Sequence, residues 1–561
     1  MIDDKPVSGQ DAAPNGEFEL LEERPPDSLL LRLYVTIRNV AGLVFGGGYA
    51  YVRERKAQGT AGNLSILILR FLLAFTWPFL NKEIISYPFP VQFRRRLEMM
   101  GPTYIKLGQI LSLREDLLPR SITDELQNLL DRLPVVTFER YQELIEADLG
   151  VSPSVFCSWI DERPLGSASL AQTHRARLNT GQEVVMKVIK PNVRETIHND
   201  TILLRILGVI LQVFLARYQP KRTINEFCTY TLREVDLRFE ADNAETFAVN
   251  FRDQPNVRFP RIYRPYSGQS VLCMEYFKGR KPDLTTAATL SESEKHRIID
   301  LGVSSIVQMI FKDGFFHADL HPGNLMLLDN MDIGFLDLGM VGRLDDSTRK
   351  TLLYYFYSVV MTDAENAARI LSNMAIRGPR SDPEGLRREL TDLNRRWVSA
   401  TQHHRMSIAQ LILQSIGLAG RYHVYYPEEI ILMVKALVTV EGVAKILDPS
   451  IEVIAIARNH IRRIILYELS PSTIYNRAVI SAPEFMDVMM RSPMIIAREL
   501  QHIDQRNQSG SHSSLIGIKE TIIAGFMLLT AAVMASGGMF WPFWTILLII
   551  ALVVGIRGLS R

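Results

Sequence analysis

The reading of this chain turns on the stretch FHADLHPGNLMLLDNMDIGFLDLG, Phe316 to Gly339. Asp319 is followed five residues later by Asn324, and Asp337 comes thirteen residues after that, inside Asp337-Leu338-Gly339. Between Asn324 and Asp337 lie an apolar run, Leu325–Leu328, a polar turn, Asp329-Asn330-Met331-Asp332, and a second apolar run, Ile333–Leu336. Two apolar runs around a polar turn predict a β-hairpin. Asn324 then sits just before one strand, and Asp337 at the end of its partner.

Two chemistries fit these residue types. His317, Asp319 and His321 are good transition-metal ligands, and in an extended segment alternation puts all three on one face. Protein kinases use a different constellation: a catalytic-loop Asp, an Asn five residues on, and a DFG-type Asp beyond a hairpin, which together hold magnesium and orient the attacking hydroxyl. The spacing to Asn324 and the hairpin to Asp337 favour magnesium and phosphate. Two departures stand out. Ala318 occupies the place of the kinase arginine, and His321-Pro322-Gly323 fills the loop.

Upstream, VFCSWID, SLAQTHRARL and EVVMKVI, from Val155 onward, read as strands, with Asn179-Thr180-Gly181-Gln182 as the turn between the last two. Leu165-Gly166-Ser167-Ala168-Ser169 is a small-residue loop that lets backbone N–H groups approach a phosphate. It opens into Leu170-Ala171-Gln172-Thr173, and Lys187 follows on a strand as a phosphate-pairing lysine does. Such a lysine needs a glutamate partner on a helix. Residues 195–250 read as helix, and Glu240 is the first choice, with Glu234 and Asp236 as alternatives. The strand Val271–Glu275 leads into Tyr276, where an inter-lobe hinge would hold adenine.

Earlier still, residues 91–148 are helical by period. On a helix through Gly101–Pro119, Lys106, Gln109 and Ser112 share one face, a polar stripe directed inward onto something polar. After Gly339 the chain enters helix at about Asp346, with no A-P-E segment and no long activation loop. Residues 346–505 read as helical, with breaks near Pro379, Pro427 and Ser470-Pro471-Ser472.

The chain has 561 residues, long enough for two domains or one large two-lobed one. Its net charge of +2 implies no bulk attraction to nucleic acid. Cys157, Cys228 and Cys273 are scattered, with no CxxC, and read as buried thiols in a reducing compartment. Residues 1–28 are an acidic, disordered tail without the features of a secretory signal. Two apolar stretches, Leu29–Tyr51 and Leu64–Leu80, read as buried or interfacial helices rather than spanning ones. Thr521–Ser536 and Phe540–Ile556 carry no charge and are divided by Gly537-Gly538. They predict a transmembrane helical hairpin with Lys519, Arg557 and Arg561 on the cytosolic side. A soluble hairpin pairing two copies as a homodimer is the alternative.

Taken together the motifs resemble the UbiB family of atypical protein-kinase-like proteins, across roughly residues 90–345 and again at the C-terminal hairpin. The residues that carry the resemblance are Lys106-Leu107-Gly108-Gln109 (KxGQ), Gly166-Ser167-Ala168-Ser169 (the alanine-rich loop), Lys187, Glu234-Val235-Asp236 (ExD), Glu240, His317 to Asn324, and Asp337-Leu338-Gly339. The resemblance implies an α+β, two-lobed kinase-like fold with an N-terminal helical extension over the site. In that division 1–28 is the tail, 29–90 membrane-proximal helices, 91–150 the extension, 151–280 the N-lobe, 281–450 the C-lobe, 451–514 a helical linker and 515–558 the hairpin. It also implies binding of ATP and Mg2+ and a supporting role in ubiquinone or related prenylquinone biosynthesis. The partners implied are membrane lipid and either quinone intermediates or quinone-biosynthesis enzymes, at an inner membrane with the kinase domain cytoplasmic.

By the match, Lys187 would hold the α/β-phosphates and pair with Glu240, Asn324 and Asp337 would hold magnesium, and Asp319 would be the base. Lys106 and Gln109 would reach over the site and meet Glu234 and Asp236. Leu165–Thr173, Glu275 and Tyr276 would line the nucleotide slot. Gly166 and Val185 depart from the family's usual alanines, which would loosen the loop and narrow the adenine slot. Water or a small lipid-like molecule is the expected phosphoryl acceptor. A protein kinase acting on a membrane partner, and a non-catalytic ATP-gated scaffold, are the other readings.

Overall fold

The computed structural model describes residues 28–57, 82–112, 118–129, 135–168, 170–214, 219–378, 381–401, 407–468, 470–473 and 541–559, with short pieces of 524–531. The acidic tail, the Leu64–Leu80 stretch, Ser169, most of the 451–514 linker beyond Ser470, and the Gly537-Gly538 turn with most of the hairpin arm before it lie outside the described residues. The chain divides into two compact units, Met1–Leu466 and Tyr467–Arg561.

In the first unit the period-2 runs form an antiparallel sheet. Its strands are β1 (Cys157–Ile160), β2 (Gly166–Ser167), β3 (Ala171–Leu178), β4 (Glu183–Ile189) and, later in the chain, β5 (Val271–Glu275). The order is β1-β3-β4-β5, with β2 beside β3. The predicted Asn179–Gln182 turn joins β3 to β4, and the register sets Thr173 opposite Lys187 and Lys187 opposite Leu272. Inward-facing Val184, Met186 and Val188 close a small core with Tyr141 and Ile145 of the helix Phe138–Leu149. Part of the small-residue loop is therefore itself strand.

Between β4 and the helix carrying Glu240 the chain inserts two long helices, Val193–Phe214 and Pro220–Glu234. The helix Leu237–Asn250 follows, its N-terminus capped by Asp236. The inserted pair packs against the N-terminal helices Phe89–Met100 and Pro102–Leu111 through Leu97, Tyr104, Ile105, Leu204 and Phe227. This second core ties the N-terminal extension to the N-lobe.

The larger lobe is built on the helix Glu292–Val307 and the predicted hairpin, β6 (Leu325–Leu328) and β7 (Ile333–Phe335), with Ile333 opposite Leu327. Helices Asp346–Val360, Ala364–Met374, Pro383–Thr401, Ile408–Arg421 and Glu428–Leu447 wrap around it in one continuous core. A short strand pair, Ile376–Arg377 with Val424–Tyr425, interrupts the run that reads as wholly helical; two residues are too few for a period to register. The three cysteines are free and buried, as expected.

In the second unit the helix Trp541–Leu559 is described. Its length is roughly 28 Å, and Ile546, Ile549, Leu552 and Ile556 are exposed.

Candidate functional site

Lys187 is held on β4 with its ammonium between two carboxylates. Its Nζ donates to Glu240 Oε1 at 2.9 Å and Oε2 at 2.8 Å, and lies 3.3 Å from Asp337 Oδ2. Burial works against the Lys187 charge, but Asp337 and Glu240 outweigh it and hold the group above the usual lysine range. Burial likewise opposes ionisation of Asp337, and the Lys187 ammonium with the Gly339 N–H overcomes it, leaving the carboxyl below the usual range. Asp337 is still 46% exposed to the cleft, whereas Glu240 is 5% exposed. Of the three glutamate and aspartate alternatives, Glu240 is the partner the fold selects. The same helix also fixes the Asp337-Leu338-Gly339 backbone, since Asn243 Nδ2 donates to Leu338 O at 2.9 Å.

Burial pushes Glu240 up to about 7, against the pull of Lys187, with Asp337 adding to the rise. A carboxyl whose folded pKa lies above its ordinary value of 4.5 contributes its stability below that value, and loses it as the pH rises through the folded pKa. Lys187→Met removes the opposing pull, so Glu240 keeps its proton to higher pH or is left as an unpaired buried charge, a loss of about 3–5 kcal/mol where it is ionised. We expect the variant's melting temperature to fall between pH 5 and pH 8 more steeply than the wild type's. Parallel melting profiles would contradict this geometry.

The catalytic-loop candidates converge on the same cleft. Asn324 Nδ2 donates to Asp319 O at 2.9 Å, which leaves Asn324 Oδ1 as the atom for a cation. Leu336 N donates to Asn324 O at 2.9 Å, so the open end of the hairpin brings Asn324 toward Asp337. One amide oxygen and one ionised carboxylate are hard donors of the kind magnesium takes, together with waters and phosphate oxygens. The residues present thus fit the ion. The histidines serve the loop instead: His317 Nδ1 accepts the Asp319 N–H and His321 Nδ1 accepts the Gly323 N–H, each at 3.0 Å. His317 is fully buried, and burial lowers it to about 4, so its ring is neutral. Among the described residues no three His, Cys, Asp or Glu side chains form a metal cluster.

Sequence reasoning missed one residue at the centre of the site. Lys435, on the helix Glu428–Leu447, places its Nζ 3.0 Å from Asp319 Oδ1 and 3.4 Å from Met340 Sδ. It is the one charge in the apolar run Ile430–Val440. A lone charge in a buried helix needs a partner, and that signal could have found it.

The inward stripe of the extension is only partly as read. Gly101, at φ +95°, turns the chain between two helices, and Gly108 lets the second one settle, because a Cβ there would come within 2.3 Å of Leu129 Cδ1. Lys106 Nζ reaches Glu234 Oε2 at 2.6 Å, as the motif match implies. Asp236 does not join them. It caps the Leu237–Asn250 helix through the Arg238 N–H and pairs with the Arg238 guanidinium at 2.6 Å, the ordinary work of an aspartate at a helix start. No Gln109 side-chain hydrogen bond is seen to either acidic residue. One helical turn before Glu234, the Tyr230 hydroxyl is buried without a hydrogen-bond partner. Burial first, then the nearby carboxylates of Glu234, Asp319, Asp337 and Glu428, push its pKa well up. The helix that bears Lys106 approaches the site from this side, its Ile110 lining a small hollow with Met340 and Lys435.

The nucleotide-loop candidates divide. Thr173 Oγ1 donates to Gly166 O at 3.2 Å, the Ala168 N–H donates to Ala171 O at 2.9 Å, and Lys190 Nζ donates to Ala168 O at 2.7 Å, which shape the turn opposite Lys187. Leu165 donates its N–H to Thr173 O. Leu170, Ala171 and Gln172 are buried, and Gln172 exchanges hydrogen bonds with the backbone of Val136. Its side chain ties the extension to the sheet and is not available to a nucleotide. Glu275 pairs with Arg258 at 2.8 Å, and Tyr276 lies under the Arg175 guanidinium. At this corner the backbone, rather than these two side chains, is what an adenine ring would meet.

The profile of the ABC1 atypical kinase-like domain matches residues 128–371, and that of the UbiB helical domain matches residues 400–452, which includes Lys435. The Arabidopsis thaliana protein named "Protein ACTIVITY OF BC1 COMPLEX KINASE 7, chloroplastic" is 34% identical over 369 residues, 65% of this chain and 53% of its own. The chain thus spans about half the length of that relative. The Tolumonas auensis protein named "Probable protein kinase UbiB" is 28% identical over 473 residues, 80% of this chain and 87% of its own. A solved structure from Mycobacterium tuberculosis, the complex of Rv3197 with erythromycin, covers 64% of this chain and 92% of that one at a TM-score of 0.42 and 20% identity.

Proposed function

The chain belongs to the ABC1/UbiB family of atypical kinase-like proteins, and from that premise we propose that it is a membrane-associated, ATP-dependent kinase-like ATPase supporting ubiquinone or related prenylquinone biosynthesis. The observation that carries the reading is the placement of Glu240 and Asp337 both within 3.3 Å of the Lys187 ammonium, in the cleft that Asp319 and Asn324 also enter. Lys187 steadies the α- and β-phosphates while Glu240 fixes its position. Asn324 and Asp337 hold magnesium, which when bound spreads the charge that develops on the transferred phosphoryl group. Asp319 accepts the proton of the attacking hydroxyl. Water or a small lipid-like alcohol is the acceptor, because the helix bearing Lys106 packs beside Met340 and Lys435 and the short link after Gly339 offers no platform for a peptide.

Membrane attachment is assigned to the apolar C-terminal segment, with the kinase-like unit on the cytoplasmic side of an inner membrane. The Lys435–Asp319 pair favours a second reading, in which bound nucleotide rather than its turnover is the signal to quinone-biosynthesis partners. The two are separated by Asp319→Asn. The ATPase reading expects turnover to fall by about two orders of magnitude or more, with nucleotide affinity kept and prenylquinone content lost in a strain carrying only the variant. Normal quinone content in that strain would overturn it in favour of the second reading.

A further inference from the structure

The helix Leu29–Ala57 is inside out. Its inward face is polar, with Arg32, Thr36 and Asn39 buried. Arg32 donates to Asp200 Oδ1 at 2.7 Å, to Asp200 Oδ2 at 2.6 Å and to Met100 O at 2.7 Å, and Thr36 shares a hydrogen bond with the Tyr104 hydroxyl. Its outward face holds Leu30, Leu33, Tyr34, Ile37 and Val44, all exposed, Leu30 at 77%. That spacing is one helical stripe.

The neighbouring helix, Val193–Phe214, joined to the first by the Arg32–Asp200 pair, repeats the pattern. Asp200 is fully buried, while Ile202, Ile206, Val209, Ile210, Val213 and Phe214 are exposed, the last two at 77% and 79%. Two adjacent helices with such outward faces exceed the scattered apolar residues a water-facing surface carries.

Within the apolar stretches of these helices, away from Glu54 and Glu195 near their ends and from the buried Asp200, the charges share one sign. From Leu29 to Val52 the ionised side chains are Arg32 and Arg38, and from Thr201 to Phe214 there is Arg205. Arg38 and Arg205 are exposed beside the apolar stripes. Arg96 lies buried beneath the first helix against Gly42, with Nε and Nη2 unbonded. A second copy of this face would bring like charges together, whereas an anionic lipid surface complements both the arginines and the apolar stripe. Both helices are long and apolar enough to cross a membrane by length and composition. Crossing is nevertheless excluded for Val193–Phe214, because Pro220–Glu234 packs back on it through Ile224 against Gly208.

We propose that this helix pair is a lipid-docking face, lying in the interfacial layer of an anionic bilayer with Ile206, Val209 and Val213 among the acyl chains and Arg38 and Arg205 at the phosphates. It requires neither the catalytic reading nor the C-terminal anchor. The test uses the full chain bound to phosphatidylcholine–phosphatidylglycerol vesicles whose acyl chains carry bromine. The native thiols are buried, so a polarity-sensitive fluorophore can be placed on Ile206→Cys or Val213→Cys, with Thr180→Cys on the exposed β3–β4 turn as control. Labels at 206 and 213 should lose about half of their emission or more to bromine, as expected for residues at the headgroup–acyl boundary, while the label at 180 keeps its own. The quenching should weaken in vesicles lacking phosphatidylglycerol and vanish on adding Val209→Asp. Unquenched labels at 206 and 213 on vesicle-bound protein would overturn the proposal, and cross-links from them to another copy or to residues 58–81 would identify the occupant instead. Because nothing in the readout depends on ATP, loss of turnover would leave the result unaffected.

Discussion

Asp337→Ala is expected to abolish magnesium-dependent nucleotide binding while leaving the chain folded. The carboxylate is ionised at any working pH because Lys187 and the Gly339 N–H favour its charge, and it is half exposed to the cleft, so its loss removes an anionic oxygen from the cation position without opening a void. Lys187 and Glu240 remain paired, which preserves the buried charge balance. With Asn324 as the remaining protein donor, affinity for ATP in the presence of magnesium should fall at least about 100-fold, or about 3 kcal/mol. Titration calorimetry with and without magnesium reads both terms. Binding unchanged by the substitution would refute the assignment of the cation site, and with it the proposed chemistry.

The second large effect is structural. Asp200 is fully buried and accepts three hydrogen bonds, two from Arg32 and one from Thr103 Oγ1 at 2.6 Å. Asp200→Ala leaves the Arg32 guanidinium without its carboxylate at 5% exposure, which costs about 3–5 kcal/mol. Replacing both partners by apolar residues, as in Arg32→Met with Asp200→Leu, should recover most of that loss, since a buried pair exchanged for well-packed apolar groups is often neutral. Urea denaturation of the three proteins decides it. Because Thr103 opens the helix that bears Lys106, the single variant should also cleave faster near Gly101 in limited proteolysis, and an unchanged cleavage rate would uncouple the two.

What was legible in the sequence follows from the range of the forces involved. The β6–β7 hairpin, β3–β4 and its turn, and Lys187 are set by local alternation, and each is found where the pattern puts it. Choosing Glu240 over Glu234 and Asp236 needed the kinase logic of a lysine partner on the following helix, while the aspartate before Leu237 carries an N-cap signature that could have removed Asp236 from the site. Gln172 looks like a loop polar residue, yet it alternates inward on β3, where burial demands a backbone partner. Lys435 was hidden by distance, since no local rule connects it to Asp319 more than a hundred residues earlier. The inverted helix Leu29–Ala57 was visible as Arg32, Thr36 and Asn39 at helical spacing, but only its neighbours reveal which face is turned inward.

The short link after Gly339 has a consequence for inhibitor design. Val341–Arg343 pairs directly with Phe315–His317, Ala318 N–H donates to Met340 O at 2.9 Å, and Leu338 is wholly buried with its carbonyl bound to Asn243. Compounds that inhibit kinases by expelling the DFG phenylalanine and filling its vacated pocket rely on a segment free to flip. Here that segment is stitched to the catalytic loop on one side and to a helix on the other. Selective ligands are better sought at the corner where Val185 lies two residues from Lys187 on β4, opposite Arg175, and Tyr276 is locked beneath that arginine.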